Sequence, residues 1–593
     1  MRRTDRRSGR SIGIVMGSGI LVSGPALAID FGSDRGLTGS FDTTITLGGS
    51  LRVEDRDADL IGRANGGSAN SVNTDDGNLN FDQGDPTSLN ARVNHELALD
   101  YENVGLFGRV FYFYDAAIMD LDPERTAFSD QAEDRAGRDF EVQDLYVIGD
   151  LEPGSLPLTI KAGNQVISWG ESTFIPNGIN VINPFDVSQL RVAGSEIRDA
   201  LKPILAIDAA LGLTDQLSIE AFYQLDFEQT ELEPAGTFFS TNDFISPGGE
   251  RVFLGFGAIP DMLPLPPGTA APIGPFVPRS GDRDPSDQGQ FGVALRYFAE
   301  ELNDTEFGLY WIRHHSRLPL ISAQTGTLAG LLAGDYAGSA RYFAEFPEDI
   351  DLFGASFNTA IDLLDLALQG EVSYRVDQPL QVDDVELLFA GLSPIDPFAF
   401  PAPVFGANQL GSFGFDEKVS GFRREDVFQA QATATKLFEP VLGADQILLL
   451  GEVGVTWIPG LPDESELRFD GPGTFTSGNP FFTAVGVQPE TQGDGFADDI
   501  SWGYRLVARA DYLGAIGPVN LLPQIAFAHD VDGTTPRPLG TFVEGRKAVT
   551  LSLAATYLNA WRGELAYTNF FGGGTFNLTK DRDFVSLAVS YSF

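Results

Sequence analysis

The chain has 593 residues, no cysteine, and 83 Asp and Glu against 39 Lys and Arg, for a formal net charge of -44. That balance excludes a general nucleic-acid binder, which needs a basic surface to meet phosphate, and the missing cysteine excludes a cystine framework even after export to an oxidising compartment. With 67 Gly, 46 Phe and a mean hydropathy of -0.04, the composition fits a Gly- and aromatic-rich sheet better than a helical membrane protein or a disordered chain.

Arg2, Arg3, Arg6, Arg7 and Arg10 precede an apolar stretch from Ser11 to Val22, and Ala26-Leu27-Ala28 is a small-x-small site, so residues 1–28 read as a signal peptide cut before Ile29. The apolar stretch is far short of the ~20 residues a spanning helix needs. Residues 29–593 read as a single domain without a visible linker.

The main signal after that is alternation at period two, which sends successive side chains to opposite faces of a strand. Phe41, Thr43, Ile45, Leu47, Leu51 and Val53 share one face, and Asp42, Thr44, Thr46, Ser50, Arg52 and Glu54 the other. Leu89 to Tyr101 repeats this, with Asn90, Arg92, Asn94, Glu96 and Asp100 on the polar side. So does Leu217 to Thr230, where Ser218, Glu220, Phe222, Gln224, Asp226 and Glu228 alternate with apolar neighbours. Charges repeated on one face call for a wet interior, and the opposite face then calls for lipid. Gly105 to Asp115 is apolar on both faces; Phe107, Arg109, Phe111, Phe113 and Asp115 are assigned inward, either packed under an inserted loop or lining a greasy path. The acidic run Asp75, Asp76, Asn78, Asn80, Asp82 and Asp85 lacks the Gly and Glu of an EF-hand loop, so a solvated loop is expected there and no metal site.

The segment from Ile167 to Pro203 is too apolar to float outside. Trp169, Gly170, Pro176, Asn177, Gly178, Asn180, Asn183 and Pro184 supply turns and Asx contacts, and Val187 to Leu201 has room for a helical turn. It is expected either to plug the lumen or to cap the surface loops. As a gate, Trp169 and Phe174 are its apolar parts, and Glu171, Asp186 and Arg191 its tethers to wall charges. Arg109, Phe111, Glu220, Asp226, Arg505 and Arg509 are assigned to the lumen wall, where mixed signs favour a salt-bridge lattice over a one-sign selectivity ring.

The chain ends on an alternating strand, Phe584 to Phe593, with Val585, Leu587, Val589, Tyr591 and Phe593 on one face. A terminal aromatic there is expected to be the assembly signal of an outer-membrane barrel, on a strand that must pair with the first one. Candidate strands lie near 41–54, 89–101, 105–115, 140–150, 157–164, 203–213, 216–230, 290–299, 304–314, 350–361, 364–377, 422–438, 443–457, 502–513, 517–531, 545–559, 562–570 and 584–593. Their connections alternate short and long, which puts both termini in the periplasm. The fold class is therefore an all-β transmembrane antiparallel barrel of about 16–18 strands with an inserted loop or short helix.

Several segments match a known group from end to end. Among them are Gly39-Ser40-Phe41-Asp42-Thr43-Thr44, Ser168-Trp169-Gly170-Glu171-Ser172-Thr173-Phe174, Gly178-Ile179-Asn180-Val181-Ile182-Asn183-Pro184, His315-Ser316-Arg317-Leu318-Pro319 and Asp581-Arg582-Asp583-Phe584-Val585. On these the chain resembles the proteobacterial outer-membrane barrel family catalogued as domain of unknown function 1302. The resemblance implies a cell-outer-membrane protein in contact with lipid and the barrel-assembly machinery. It further implies a hydrophobic small-molecule cargo, fatty acid, steroid or terpene-like, with periplasmic or inner-membrane transport partners. The expected function is a loop-gated channel for such molecules; a general or cation-preferring hydrophilic porin is the alternative, and a surface structural protein or a barrel lipase is a weaker one. No cofactor and no catalytic residue are expected, since His95, His314, His315 and His529 fall in no nucleophile or zinc spacing.

Overall fold

The computed structural model describes residues 29–33 and 36–593; the signal peptide expected over 1–28 lies outside them. Eighteen strands follow one another around a closed antiparallel sheet. They are β1 (Leu37–Arg52), β2 (Pro86–Tyr101), β3 (Val104–Asp115), β4 (Arg138–Leu151), β5 (Leu158–Gln165), β6 (Ile204–Gly212), β7 (Leu217–Gln224), β8 (Phe291–Ala299) and β9 (Thr305–His314). The second half comprises β10 (Ile350–Ile361), β11 (Leu366–Gln381), β12 (Phe422–Phe438), β13 (Gln446–Trp457), β14 (Ile500–Ile516), β15 (Val519–Asp532), β16 (Arg546–Tyr557), β17 (Trp561–Gly572) and β18 (Phe584–Ser592). A nineteenth, Ile29–Gly32, folds back on the start of β1.

Every expected strand is present, and the faces fall as the alternation requires. On β1, Leu47 is 60% exposed while Arg52 is fully buried, so the apolar side chains point out and the polar ones in. The outer surface carries a continuous apolar belt that includes Phe140, Leu309, Phe353, Leu551 and Leu587. Exposed apolar surface on this scale is stable only against hydrocarbon, where each large side chain gains about 1.5–3 kcal/mol over water. Trp561 and Tyr591, with ring centroids 4.6 Å apart, lie at the end of the belt that holds the chain termini, and Trp311, Trp457 and Trp502 lie at the other. Aromatic residues at both rims are the usual interface anchors of a membrane barrel.

Closure joins β1 to β18 from Thr44–Ser592 through Arg52–Phe584. Phe593 extends it, its N–H donating to the Thr43 carbonyl at 2.9 Å and its carbonyl accepting from Thr43 N–H at 2.8 Å. Short turns such as 102–103, 213–216 and 362–365 sit at the terminal end, and the long connections gather at the opposite end as a cap. The cap has sheets of its own, one of Leu320–Gln324, Arg341–Glu345 and Lys418–Val419, the other of Arg251–Phe253 and Phe276–Pro278.

Two expectations fail here. The strand expected over 216–230 ends at Gln224, which leaves Asp226 exposed on the rim rather than on the lumen wall. The acidic run is solvated only at its far end, where Asp82 is exposed: Asp75, Asn78 and Asn80 are buried, Asn80 Nδ2 donating to the carbonyls of Thr126 and Gly236 at 3.0 and 2.9 Å.

Deleting Phe593 removes two closing hydrogen bonds and one rim aromatic. The yield of heat-modifiable barrel on gels is expected to fall several-fold, with normal insertion as the result that overturns its assembly role. Tags at 231–289 or 458–501 are expected to be reachable on intact cells, and a tag at Asn103 is not.

Candidate functional site

The connection between β5 and β6, residues 166–203, turns into the barrel. Its first part packs on one side of the lumen. Trp169 is 1% exposed, its ring 5.2 Å from Phe222 of β7 and 5.8 Å from Tyr310 of β9, in a cluster with Ile167, Ile179, Ile182, Ile204, Ile312 and Leu352. The wall makes room with glycine: a Cβ on Gly354 of β10 would stand 2.7 Å from Ile179, and one on Gly292 of β8 would stand 2.8 Å from Trp169.

Beyond that contact the loop is held by two inward carboxylates. Glu371 of β11 accepts the main-chain N–H groups of Glu171, Ser172 (3.1 Å) and Ile179 (2.8 Å), together with Gln431 Nε2 (2.9 Å). Glu452 of β13 accepts those of Thr173 (2.8 Å), Phe174 (2.7 Å) and Ile175 (2.9 Å). Arg375 of β11 donates to the carbonyls of Asn177 and Gly178, and Gln429 of β12 to that of Pro176 at 2.7 Å. An irregular stretch thus satisfies its backbone on charged wall groups, as buried backbone must. Gly178 is required at this clamp, because a Cβ there would lie 1.8 Å from Glu371 Oε1.

The second part of the loop crosses to the other side. Arg92 of β2 donates to Asp199 at 2.9 Å and Ser195 at 3.0 Å, and Arg109 of β3 pairs with Asp144 at 3.3 Å and donates to the Arg198 carbonyl at 2.9 Å. Arg198 reaches back to Glu96 at 2.9 Å. Single turns form at Gln189–Arg191 and Ile197–Ala200, within the stretch read as able to hold one. The inward rings Phe111 and Phe113 are 1% and 4% exposed and stack at 6.1 Å, with Arg92 over Phe111 at 5.9 Å. Both rings are buried, and Phe113 borders Ser188, Gln189, Arg191 and Val192 of the loop.

The structure distributes the expected gate residues differently from their assigned parts. Trp169 is an anchor sunk in the wall cluster, whereas Phe174 is 42% exposed. The Glu171 side chain accepts from Asn358 of β10 at 3.0 Å, while its main chain meets Glu371 and Gln369. Asp186 binds its own loop, accepting from Ser188 N at 2.9 Å and Gln189 N at 3.2 Å, and Arg191 lies 4.6 Å from the ring of Phe239 in another loop. Asn180 donates to Ser168 at 3.3 Å, and Asn183 closes the neck, accepting from Ile167 N and donating to the Lys202 carbonyl, both at 2.8 Å. The tethers are therefore Glu371, Glu452 and Arg92. The sequence contains them as ordinary inward polar residues, with no local sign of the loop they hold.

The remaining wall residues pair with their neighbours. Glu220 pairs with Arg296, Arg505 with Asp530 at 2.7 Å, and Arg509 with Asp511 at 2.8 Å. Toward the cap a cavity of about 1140 Å³ is lined by charges of both signs, including Glu141, Arg135, Arg279 and Asp282. A second, apolar cavity of about 130 Å³ lies among the cap loops, between Phe244, Leu254, Val277, Tyr336, Leu387 and Leu392. His314 and His315 contact main-chain groups, His95 contacts Thr43 at 2.9 Å, and His529 contacts Tyr504 at 3.3 Å.

The family described as protein of unknown function (DUF1302) matches residues 10–593. The chain belongs to that family. No curated protein matches it. Among solved structures it is similar to Acinetobacter baumannii OccAB3, at 10% identity over 94% of this chain and 99% of that one, TM-score 0.41. It is also similar to Pseudomonas aeruginosa OccK1 (OpdK), at 10% identity over 93% and 98%, TM-score 0.38, and to a BenF-like porin from Pseudomonas fluorescens Pf-5, at 9% over 94% and 98%, TM-score 0.40.

Replacing Glu452 by Ala leaves three loop amides without an acceptor, a loss of about 3 kcal/mol or more in loop seating. In planar bilayers the Glu452→Ala barrel is expected to conduct more, with larger current fluctuations, than the wild type, and Glu171→Ala to change less. The seated loop also favours protons: burial, the main cause in each case, pushes Glu171 up to about 7, Asp186 to about 6 and Glu233, which faces Arg191, to about 7. A carboxyl raised in the seated state stabilises it fully below the ordinary carboxylate range, and that contribution is lost as pH rises through its raised value. Fluctuations are expected to grow from pH 5 to pH 8, and Glu171→Gln to flatten part of that rise.

Proposed function

We propose that the protein is a passive outer-membrane channel for small apolar or amphipathic molecules, of the fatty acid, steroid or terpene type, gated by residues 166–203. The observation that carries the gate is the manner in which the loop is held. Its first part hangs from Glu371 and Glu452 by three main-chain hydrogen bonds to each, and Trp169 and Asn183 fix its two ends. Release of the amides needs no unfolding of the barrel. The apolar cavity in the cap supports the cargo class; at about 130 Å³ it suits a transit stop for part of a molecule, being smaller than the roughly 300–1,000 Å³ of ligand pockets. Periplasmic or inner-membrane proteins would hand cargo over at the terminal end.

A hydrophilic porin is the second reading, favoured by the large mixed-charge cavity and by the paired charges of the wall. A passive wall supplies no energy, so the loop opens only by the difference in affinity that cargo has for its two states.

Deletion of Trp169 to Pro176 is expected to raise permeability of reconstituted vesicles above that of any clamp variant. Vesicles as tight as those with the intact barrel would sink the gate. Loss of the protein is expected to alter growth on, or export of, hydrophobic compounds. A deleted barrel that passes sugars and ions, with hydrophobic traffic in cells unchanged, would select the porin.

A further inference from the structure

Two cap segments, 382–421 and 458–499, meet at one antiparallel bridge between Val382 and Phe469. Asp383 N–H donates to the Arg468 carbonyl at 3.0 Å, and Asp470 N–H to the Gln381 carbonyl at 2.9 Å. The pairing sets Asp383, Asp384 and Asp470 together, with one carboxylate oxygen from each within 4.8 Å of the others. Asp383 is 0% exposed, and neither of its carboxylate oxygens has a hydrogen-bond donor among the described residues. It precedes the helix Asp384–Leu392, where an aspartate ordinarily accepts a first-turn amide, yet it makes no such bond. The nearby cations are already engaged, Arg537 with Asp470 at 3.4 Å and Arg468 with Glu386 at 3.2 Å. An ionised carboxylate in such a place needs a positive partner.

We propose that Asp383, Asp384 and Asp470 form a divalent-cation site, selective for calcium, that fastens these two cap segments together. The donor set is hard oxygen with no His or Cys, which suits calcium or magnesium rather than zinc or copper. Asp383, with two unengaged oxygens, offers the bidentate carboxylate that calcium accepts and magnesium, with its strict octahedron and retained waters, takes up poorly. A second trio, Asp75, Asp76 and Asp261, likewise has one member paired with an arginine, Asp261 with Arg125, but differs in that its buried member has donors, Asp75 accepting from Gly62 N at 2.8 Å and Asn65 Nδ2 at 2.9 Å. Its buried carboxylate is already partly engaged by protein donors, and it serves as the control. Asp384 also lines the apolar cavity, so a cation here would stiffen one wall of it.

The test is calorimetric titration of the chelator-stripped full-length barrel in detergent with calcium chloride, alongside protease digestion of the cap. One site is expected, at or below the roughly 0.1–1 mM affinities of extracellular calcium modules. Asp383→Asn is expected to weaken it at least tenfold, Asp75→Asn to leave it unchanged, and calcium to protect 382–421 from digestion only in proteins with the site intact. Heat-modifiable migration confirms that each variant is folded, and Asp384→Asn carries the same expectation should Asp383→Asn not fold. No binding by the wild type up to about 1 mM calcium, the result if the trio holds protons instead, overturns the proposal. So does an Asp383→Asn barrel that binds as tightly as the wild type.

Discussion

A peptide group in hydrocarbon has no water to bond to, and an unpaired one costs several kcal/mol. Around this barrel the constraint is met by a complete ladder from β1 through β18 and back, with Phe593 and Thr43 pairing at the end of the chain. Once the sheet is closed, its outward side chains must be apolar and its inward ones are free to be polar, which gives the lumen its supply of charged groups. The closed ladder also leaves the inner face without main-chain donors or acceptors to offer. An inserted segment must therefore find side chains to satisfy its own backbone, and Glu371, Glu452, Arg375 and Gln429 fill that role.

The two halves of the loop are held by opposite chemistries. On one side wall carboxylates accept loop amides, and on the other wall arginines reach Asp199, Ser195 and the Arg198 carbonyl. Each anchored end has a definite charge requirement, so the mixed signs of the lumen follow from what they hold. Only part of the wall charge is spent this way; Arg505 with Asp530 and Arg509 with Asp511 pair within the wall.

The barrel was legible because alternation is a local property: Leu47 and Arg52 declare their faces from position alone, and the same reading located every strand. It misled at Asp226, because Leu225 and Phe227 continue the alternation after the backbone has left the sheet at Gln224. The loop at 166–203 announced itself by its apolar and turn-forming residues, but its holders did not. An inward glutamate on a strand looks the same whether it faces water or three amides, and the amides belong to residues 192 to 279 positions away. The burial of Asp75, Asn78 and Asn80 was equally hidden, since it depends on cap loops from elsewhere in the chain closing over them.

Those long separations bear on biogenesis. Residues 171–179 cannot find Glu371 and Glu452 until β11 and β13 stand in the sheet, whereas Asn183 ties the neck of the loop using Ile167 and Lys202 close by. The neck of the loop can therefore be tied by local contacts, whereas its first part finds its main-chain acceptors only where both glutamate-bearing strands are in place. Seating of the first part of the loop thus depends on β11 and β13 together, and a sheet lacking either strand leaves those amides without their carboxylates.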